Sequence, residues 1–140
     1  MKKNEKGFTL IELLVVITII GILASTAIPK LMSAIDRARE TKCRTIIESI
    51  KSALQMYSMD SSSASYVNGT SLATLAPQYI AAIPTGPYGN ILYNSNGQVF
   101  SIGCYYNGKT TISGQAPPYW LVYRSNNDTL AIVSGSANPF

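Results

Sequence analysis

The sequence predicts an α+β fold in which one long N-terminal hydrophobic helix packs on a small antiparallel β-sheet. Three observations carry this expectation. Residues 8–28, FTLIELLVVITIIGILASTAI, form an apolar run with a single charge, Glu12. From Cys43 onward, apolar residues recur with a helical period. Beyond residue 90, short runs rich in Ile, Val and Tyr alternate with turn sequences. At 140 residues the chain has room for one compact domain and an appendage, since domains run to roughly 100 to 200 residues.

Charged residues make up 13% of the chain and apolar residues 46%, a composition that fits neither a disordered acidic tail nor a coiled coil. The net charge of +4 is unevenly placed. Lys2, Lys3 and Lys6 lie near the start, and Lys30, Arg37, Arg39, Lys42, Arg44 and Lys51 outnumber Asp36, Glu40 and Glu48 in the next charged stretch. After residue 51 only Asp60, Lys109, Arg124 and Asp128 are charged, and they cancel. That part of the chain therefore offers no basic surface to hold nucleic acid by its phosphates. Histidine is absent and the only cysteines are Cys43 and Cys104, far apart. This excludes zinc sites of the usual Cys/His spacing and any Ser-His or Cys-His catalytic pair.

At about 1.5 Å per residue, the run 8–28 would extend about 30 Å as a helix, the thickness of a bilayer's hydrocarbon core. Lys2, Lys3 and Lys6 before it are expected to stay in the cytoplasm, with everything after Pro29 outside. A plain membrane anchor is one reading. A secretory signal peptide cut among the small residues near Ala24 to Ala27 is a second, although its apolar core would be longer than usual and would contain a carboxylate. The third treats Glu12 as functional, because a carboxylate deep in lipid costs at least about 2.5 kcal/mol and requires a partner.

KGFTLIELLVVITIIGILASTAIP, residues 6–29, closely resembles the N-terminus of type IV pilins and of type II secretion pseudopilins. The resemblance implies that residues 1–7 are a leader removed by a prepilin peptidase, with Gly7 as the processing residue. Phe8 would become the methylated N-terminus, and Glu12 would neutralise the terminal amine of a neighbouring subunit. Residues 8–29 would form the transmembrane and filament-core half of the helix, residues 30–58 its amphipathic half, and residues 59–140 the globular head. Gly21, Ser25, Thr26 and Pro29 weaken an otherwise strong helix, so bending or melting is expected near 21–29. The resemblance favours loosening there as subunits pack into a filament.

In the amphipathic half, Cys43, Ile46, Ile47, Ile50, Leu54 and Tyr57 form one apolar stripe. The charges are expected off that stripe, on a solvated face or at contacts between subunits, with Glu40 and Arg44 paired at i,i+4. The helix is expected to end near Ser58, where MDSSSAS begins to favour caps and turns. A loop over 61–70, a helical turn within SLATLAPQYI and an irregular passage IPTGPYGN lead to strands expected at 91–93, 98–106, 119–124 and 129–133. Between them lie turns at 94–97, 107–108 and 125–128. YIAAIPTGPYGNILY also resembles the loop that follows the helix in pseudopilins and many pilins. Phe100, Ile102, Cys104 and Tyr106 alternate onto one face, which should lie against the helix stripe.

Cys43 and Cys104 then point at the same interface. They form either a disulfide, in the oxidising compartment beyond the membrane, or two buried thiols packed as small hydrophobes. The aromatics, which include Tyr105, Tyr106, Tyr119, Trp120 and Tyr123, read as core and cross-strand pairs. Asn68-Gly69-Thr70 and Asn127-Asp128-Thr129 match the glycosylation sequon, a tripeptide of low specificity. Calcium binding is associated with the major pseudopilins through acidic C-terminal loops, but Asp128 is the only acid after Asp60, so no metal and no cofactor is expected.

The function these features imply is a structural subunit, not an enzyme, of a type IV pilus-like filament. The precursor would be a single-pass inner-membrane protein in contact with lipid. The assembled form would be a homo-polymeric extracellular pilus at the cell surface. Implied partners are further copies of the chain, the prepilin peptidase and an inner-membrane assembly platform with its cytoplasmic ATPase. The alternative is a major pseudopilin of a type II secretion system. A membrane-anchored binding module or enzyme that never polymerises would leave Glu12 unexplained.

Overall fold

The computed structural model describes residues 7–89, 91–108, 118–135 and 139–140. Its first element is a single helix, α1 (Leu10–Asp60), of 51 residues, about 75 Å long at the standard rise. It begins two residues later than the apolar run suggests because Thr9 takes an extended backbone and caps it. The Glu12 N–H donates to Thr9 Oγ1 at 3.3 Å and the Thr9 N–H donates to Glu12 Oε2 at 2.8 Å, a capping box. The helix ends two residues later than expected. There the N–H of Ser61, itself extended, donates to the Tyr57 carbonyl, and Ser61 Oγ accepts the N–H of Ser65. Pro29 lies inside α1, which is helical on both sides of it and throughout 21–29 in the single chain.

A loop then leads through a 3-10 turn (Ala73–Leu75), which buries Leu75, to the strands β1 (Ile91–Ser95), β2 (Phe100–Tyr106), β3 (Tyr119–Arg124) and β4 (Thr129–Ser134). They form one antiparallel meander in the order β1-β2-β3-β4. β1 runs to Ser95 and β2 starts at Phe100, so the turn sits two residues later than the sequence suggests. Asn96 Oδ1 accepts the N–H groups of both Gln98 and Val99, which holds those residues in the turn. On the other side of β1, Gly69 and Ser95 exchange backbone hydrogen bonds at 2.9 and 3.0 Å. The expected turn at 107–108 directly follows the end of β2, and residues 109–117 beyond it lie outside the described residues.

Alternation places Phe100, Ile102, Cys104 and Tyr106 of β2 on the same side as Tyr119, Leu121 and Tyr123 of β3. This face meets Cys43, Ile46, Ile47, Ile50 and Leu54 of α1 in one core, with Tyr57 partly buried against it. Cys43 and Cys104 are joined by a disulfide across that interface, with Cα atoms 5.8 Å apart. The outer face of the sheet is also covered at its centre, where Trp120 and Val122 are buried. There a Cβ on Gly103 would lie 3.2 Å from the Phe140 ring and 3.3 Å from Trp120, so a larger residue would require those rings to move by a few tenths of an ångström.

Candidate functional site

The residues expected to act in assembly gather at the exposed end of α1. Phe8, Ile11, Glu12, Val15 and Val16 line an open, largely apolar groove of about 340 Å³ beside the Glu12 carboxylate. One carboxylate oxygen, Oε2, accepts both the Thr9 N–H and the Thr9 hydroxyl at 2.8 Å. The other, Oε1, takes no hydrogen bond among the described residues. The carboxylate is thus oriented by its own first turn, with one oxygen that takes no hydrogen bond among the described residues. Nothing lies within 4 Å of where a Cβ on Gly7 or Gly21 would be, so this chain's own packing does not demand glycine at either position.

Above this end, α1 presents Leu13, Leu14, Ile17, Ile20, Ile22, Leu23 and Ile28 to the outside, and the rest of the chain covers none of that apolar window. It is one helix long and apolar enough to cross a membrane. Its few hydroxyls are satisfied within the helix: Thr18 donates to the Leu14 carbonyl, Ser25 to Ile22 and Thr26 to Leu23. No side-chain hydroxyl there is left to resist transfer into an apolar surrounding.

The upper half of α1 corrects one expectation. Asp36 and Glu40 are buried, at 1% and 5% exposure, and do not lie on a solvated face. They fall on the same helical stripe as Cys43, Ile47, Ile50 and Leu54, and the head reaches down over them. Glu40 Oε1 accepts from Arg44 Nη2 at 2.6 Å and Nε at 3.1 Å. Asp36 is 3.6 Å from Arg39, and both meet the Tyr88 hydroxyl from the loop before β1. Burial, with Glu40 nearby, pushes the Tyr119 hydroxyl well above its ordinary range.

A third tie joins α1 to the β3–β4 turn. Asp128 Oδ1 accepts from Lys51 Nζ at 2.9 Å and from the Tyr123 hydroxyl at 2.7 Å, with Lys51 over the Tyr123 ring. The Tyr123 hydroxyl and then Lys51 hold the Asp128 carboxyl below its usual range, and Asp128 is the main reason Lys51 is pushed up. Among the described residues, no three His, Cys, Asp or Glu side chains gather as a metal site. Thr9 was missed by the sequence reading, although Thr9 followed three residues later by Glu12 is itself a capping-box signature.

Comparison with known proteins bears on both halves of this arrangement. A family model described as the prokaryotic N-terminal methylation motif matches residues 2–28. The chain is 36% identical over 100 residues to the type II secretion system core protein G of Escherichia coli (strain K12), covering 62% of this chain and 69% of the relative. It is 46% identical over 61 residues to the core protein G of Klebsiella michiganensis, covering 44% of this chain and 43% of the relative. A match of the same identity and length to the type IV wide pilus major component PilA4 of Thermus thermophilus covers 47% of that relative. The chain belongs to the type IV pilin and type II secretion pseudopilin family. These relatives are structural subunits, not enzymes. No solved structure matches the chain.

Proposed function

We propose that the chain is a structural subunit that polymerises through its N-terminal helix into a pilus-like filament. The observation that carries this is the pairing of an uncovered apolar helix with a single oriented carboxylate, Glu12, at its exposed end. In lipid or in a filament core, a neighbouring N-terminal ammonium is the partner such a carboxylate requires. Glu12 Oε1 would accept it, and the groove beside it would take apolar side chains of the neighbour. Cleavage after Gly7 would create that ammonium on Phe8, and methylation would follow. The precursor would span the inner membrane once, with residues 1–7 in the cytoplasm, and be drawn into the polymer by the platform and its ATPase. Loosening around Gly21 and Pro29 would belong to the assembled state, since the single chain is helical there.

Of the two filament classes, the secretion pseudopilus is the better supported, which reverses the order in which the sequence ranked them. Relatives that the chain covers to 69% and 71% of their length are both core protein G. The surface pilus rests on the Thermus match, which covers 47% of its relative. Mass spectrometry of filaments sheared from cells that make the chain at native level separates them. The secretion reading expects the chain in the envelope and absent from sheared material. Abundant chain in surface filaments would establish the pilus instead.

A further inference from the structure

The exposed back of α1 carries a strip of small hydroxyl residues between charges that make no ion pair among the described residues. Thr41, Thr45, Ser49 and Ser52 each turn the hydroxyl onto a carbonyl of their own helix, at 3.0, 3.1, 2.8 and 2.9 Å. The strip is therefore low in relief, with each hydroxyl's donor already engaged within the helix. Along α1, Lys30, Arg37, Lys42 and Glu48 are exposed, and their side chains make no hydrogen bond or ion pair among the described residues. Glu48 is the one acid in that set. At about 100° per residue, Lys30 and Arg37 lie within about 20° of Glu48 around the helix, while Lys42 lies about 120° away.

A head-to-tail polymer brings two different faces of the subunit together, so a cation that meets Glu48 of a second copy must come from another face. Lys42 meets that condition, and Lys30 and Arg37 do not. We infer that Lys42 of one subunit pairs with Glu48 of its neighbour, flanking a helix-to-helix contact over the Thr41, Thr45 and Ser52 strip.

This inference rests on the assembly reading above, and the axial spacing agrees with it. Pairing Glu12 of one copy with the Phe8 amine of another displaces the second copy outward by about four residues, or about 6 Å along parallel helices. Pairing Glu48 with Lys42 calls for a displacement in the same sense of about six residues, or about 9 Å. The flexible Lys and Glu side chains span the difference of about 3 Å. In both contacts one copy supplies the carboxylate and the same second copy supplies the cation. A single stagger therefore makes two charge pairs, one at the base of the helix and one beside the head.

The test is charge exchange, scored by filaments in the envelope and sheared fractions together, fixed by chemical cross-linking in cells making the chain in place of any native copy, with immunoblots of mature subunit alongside. Lys42→Glu and Glu48→Lys, each alone, are expected to lower filaments at least tenfold, and the double exchange is expected to restore at least half of the unaltered number. Co-expression of the two single variants is expected to restore filaments as well. An alternating polymer of the two sets Lys42 of one copy against Glu48 of the other at one contact, and the exchanged pair at the next. A role confined to one chain would not be rescued this way. Single exchanges within twofold of the unaltered protein, or co-expression that recovers nothing, would overturn the pairing while leaving the Glu12 reading in place. If the unaltered chain forms no polymer either in the envelope or at the surface, the assembly reading fails and this contact fails with it.

Discussion

Thr9 and Glu12 close the first turn of α1 on each other, with both Thr9 donors on one Glu12 oxygen and no hydrogen bond to the second among the described residues. The carboxylate proposed to receive a neighbour's ammonium is thus held in place before the neighbour arrives. Thr9→Val keeps the shape and removes the hydroxyl, a cap loss of about 1 kcal/mol for the helix end. Filament yield should fall several-fold while cleavage after Gly7 persists, and Thr9→Ser should restore yield. Quantified filaments beside immunoblots check both, and normal yield from Thr9→Val would mean that the cap plays no part in assembly.

The mature chain is expected to begin at Phe8 and to carry one added methyl group. A signal-peptide cut near Ala27 and an uncut anchor give quite different intact masses. Because the fold itself makes no demand for glycine at residue 7, Gly7→Ala should be partly processed. A bulky side chain there should leave precursor in the membrane, since the restriction then comes from the peptidase.

The Cys43–Cys104 bridge closes a sequence separation of 61 residues between α1 and β2. In the chain-entropy account a loop of that size contributes about 4 kcal/mol. Non-reducing peptide mapping should recover the two cysteine peptides as one species. Cys43→Ala with Cys104→Ala should lower the urea midpoint of the detergent-solubilised chain, and an unchanged midpoint would mean that the core holds α1 to β2 without it.

The Lys51, Asp128 and Tyr123 cluster predicts a pH dependence with a definite sign. Asp128, lowered in the folded chain, contributes stability above its unfolded value that is lost as pH falls through the folded one, below about pH 4. Lys51, raised in the folded chain, contributes stability below its unfolded value that is lost as pH rises through the folded one, above about pH 10. Asp128→Asn should flatten part of the acid-side fall in urea midpoint. The difference should shrink in high salt, because the Asp128 side chain is 75% exposed.

Much of this was legible before the structure. The stripe from Cys43 to Tyr57 and the alternation in β2 each specify which side is covered, and the core joins those two sides. Asp36 and Glu40 were misplaced because their charge outweighed their position: they continue the stripe of Cys43, Ile47, Ile50 and Leu54 downward by steps of three and four. The buried outer face of the sheet had a signal too, in the unbroken apolar run of β3 through Tyr119, Trp120, Leu121, Val122 and Tyr123. What covers part of that face, Phe140, is remote in sequence and no periodicity points to it.

Filament formation by Glu12→Gln tests the central claim most directly. The substitution keeps shape and hydrogen bonding but removes the charge, so membrane insertion and cleavage after Gly7 should persist. A neighbouring ammonium would then enter the apolar filament core unpaired, which costs about 3 to 5 kcal/mol at every added subunit. The account predicts processed subunit in the membrane and few or no cross-linked filaments, in the envelope or at the surface, in cells whose sole copy carries the substitution. Filament numbers equal to those of the unaltered chain would contradict it.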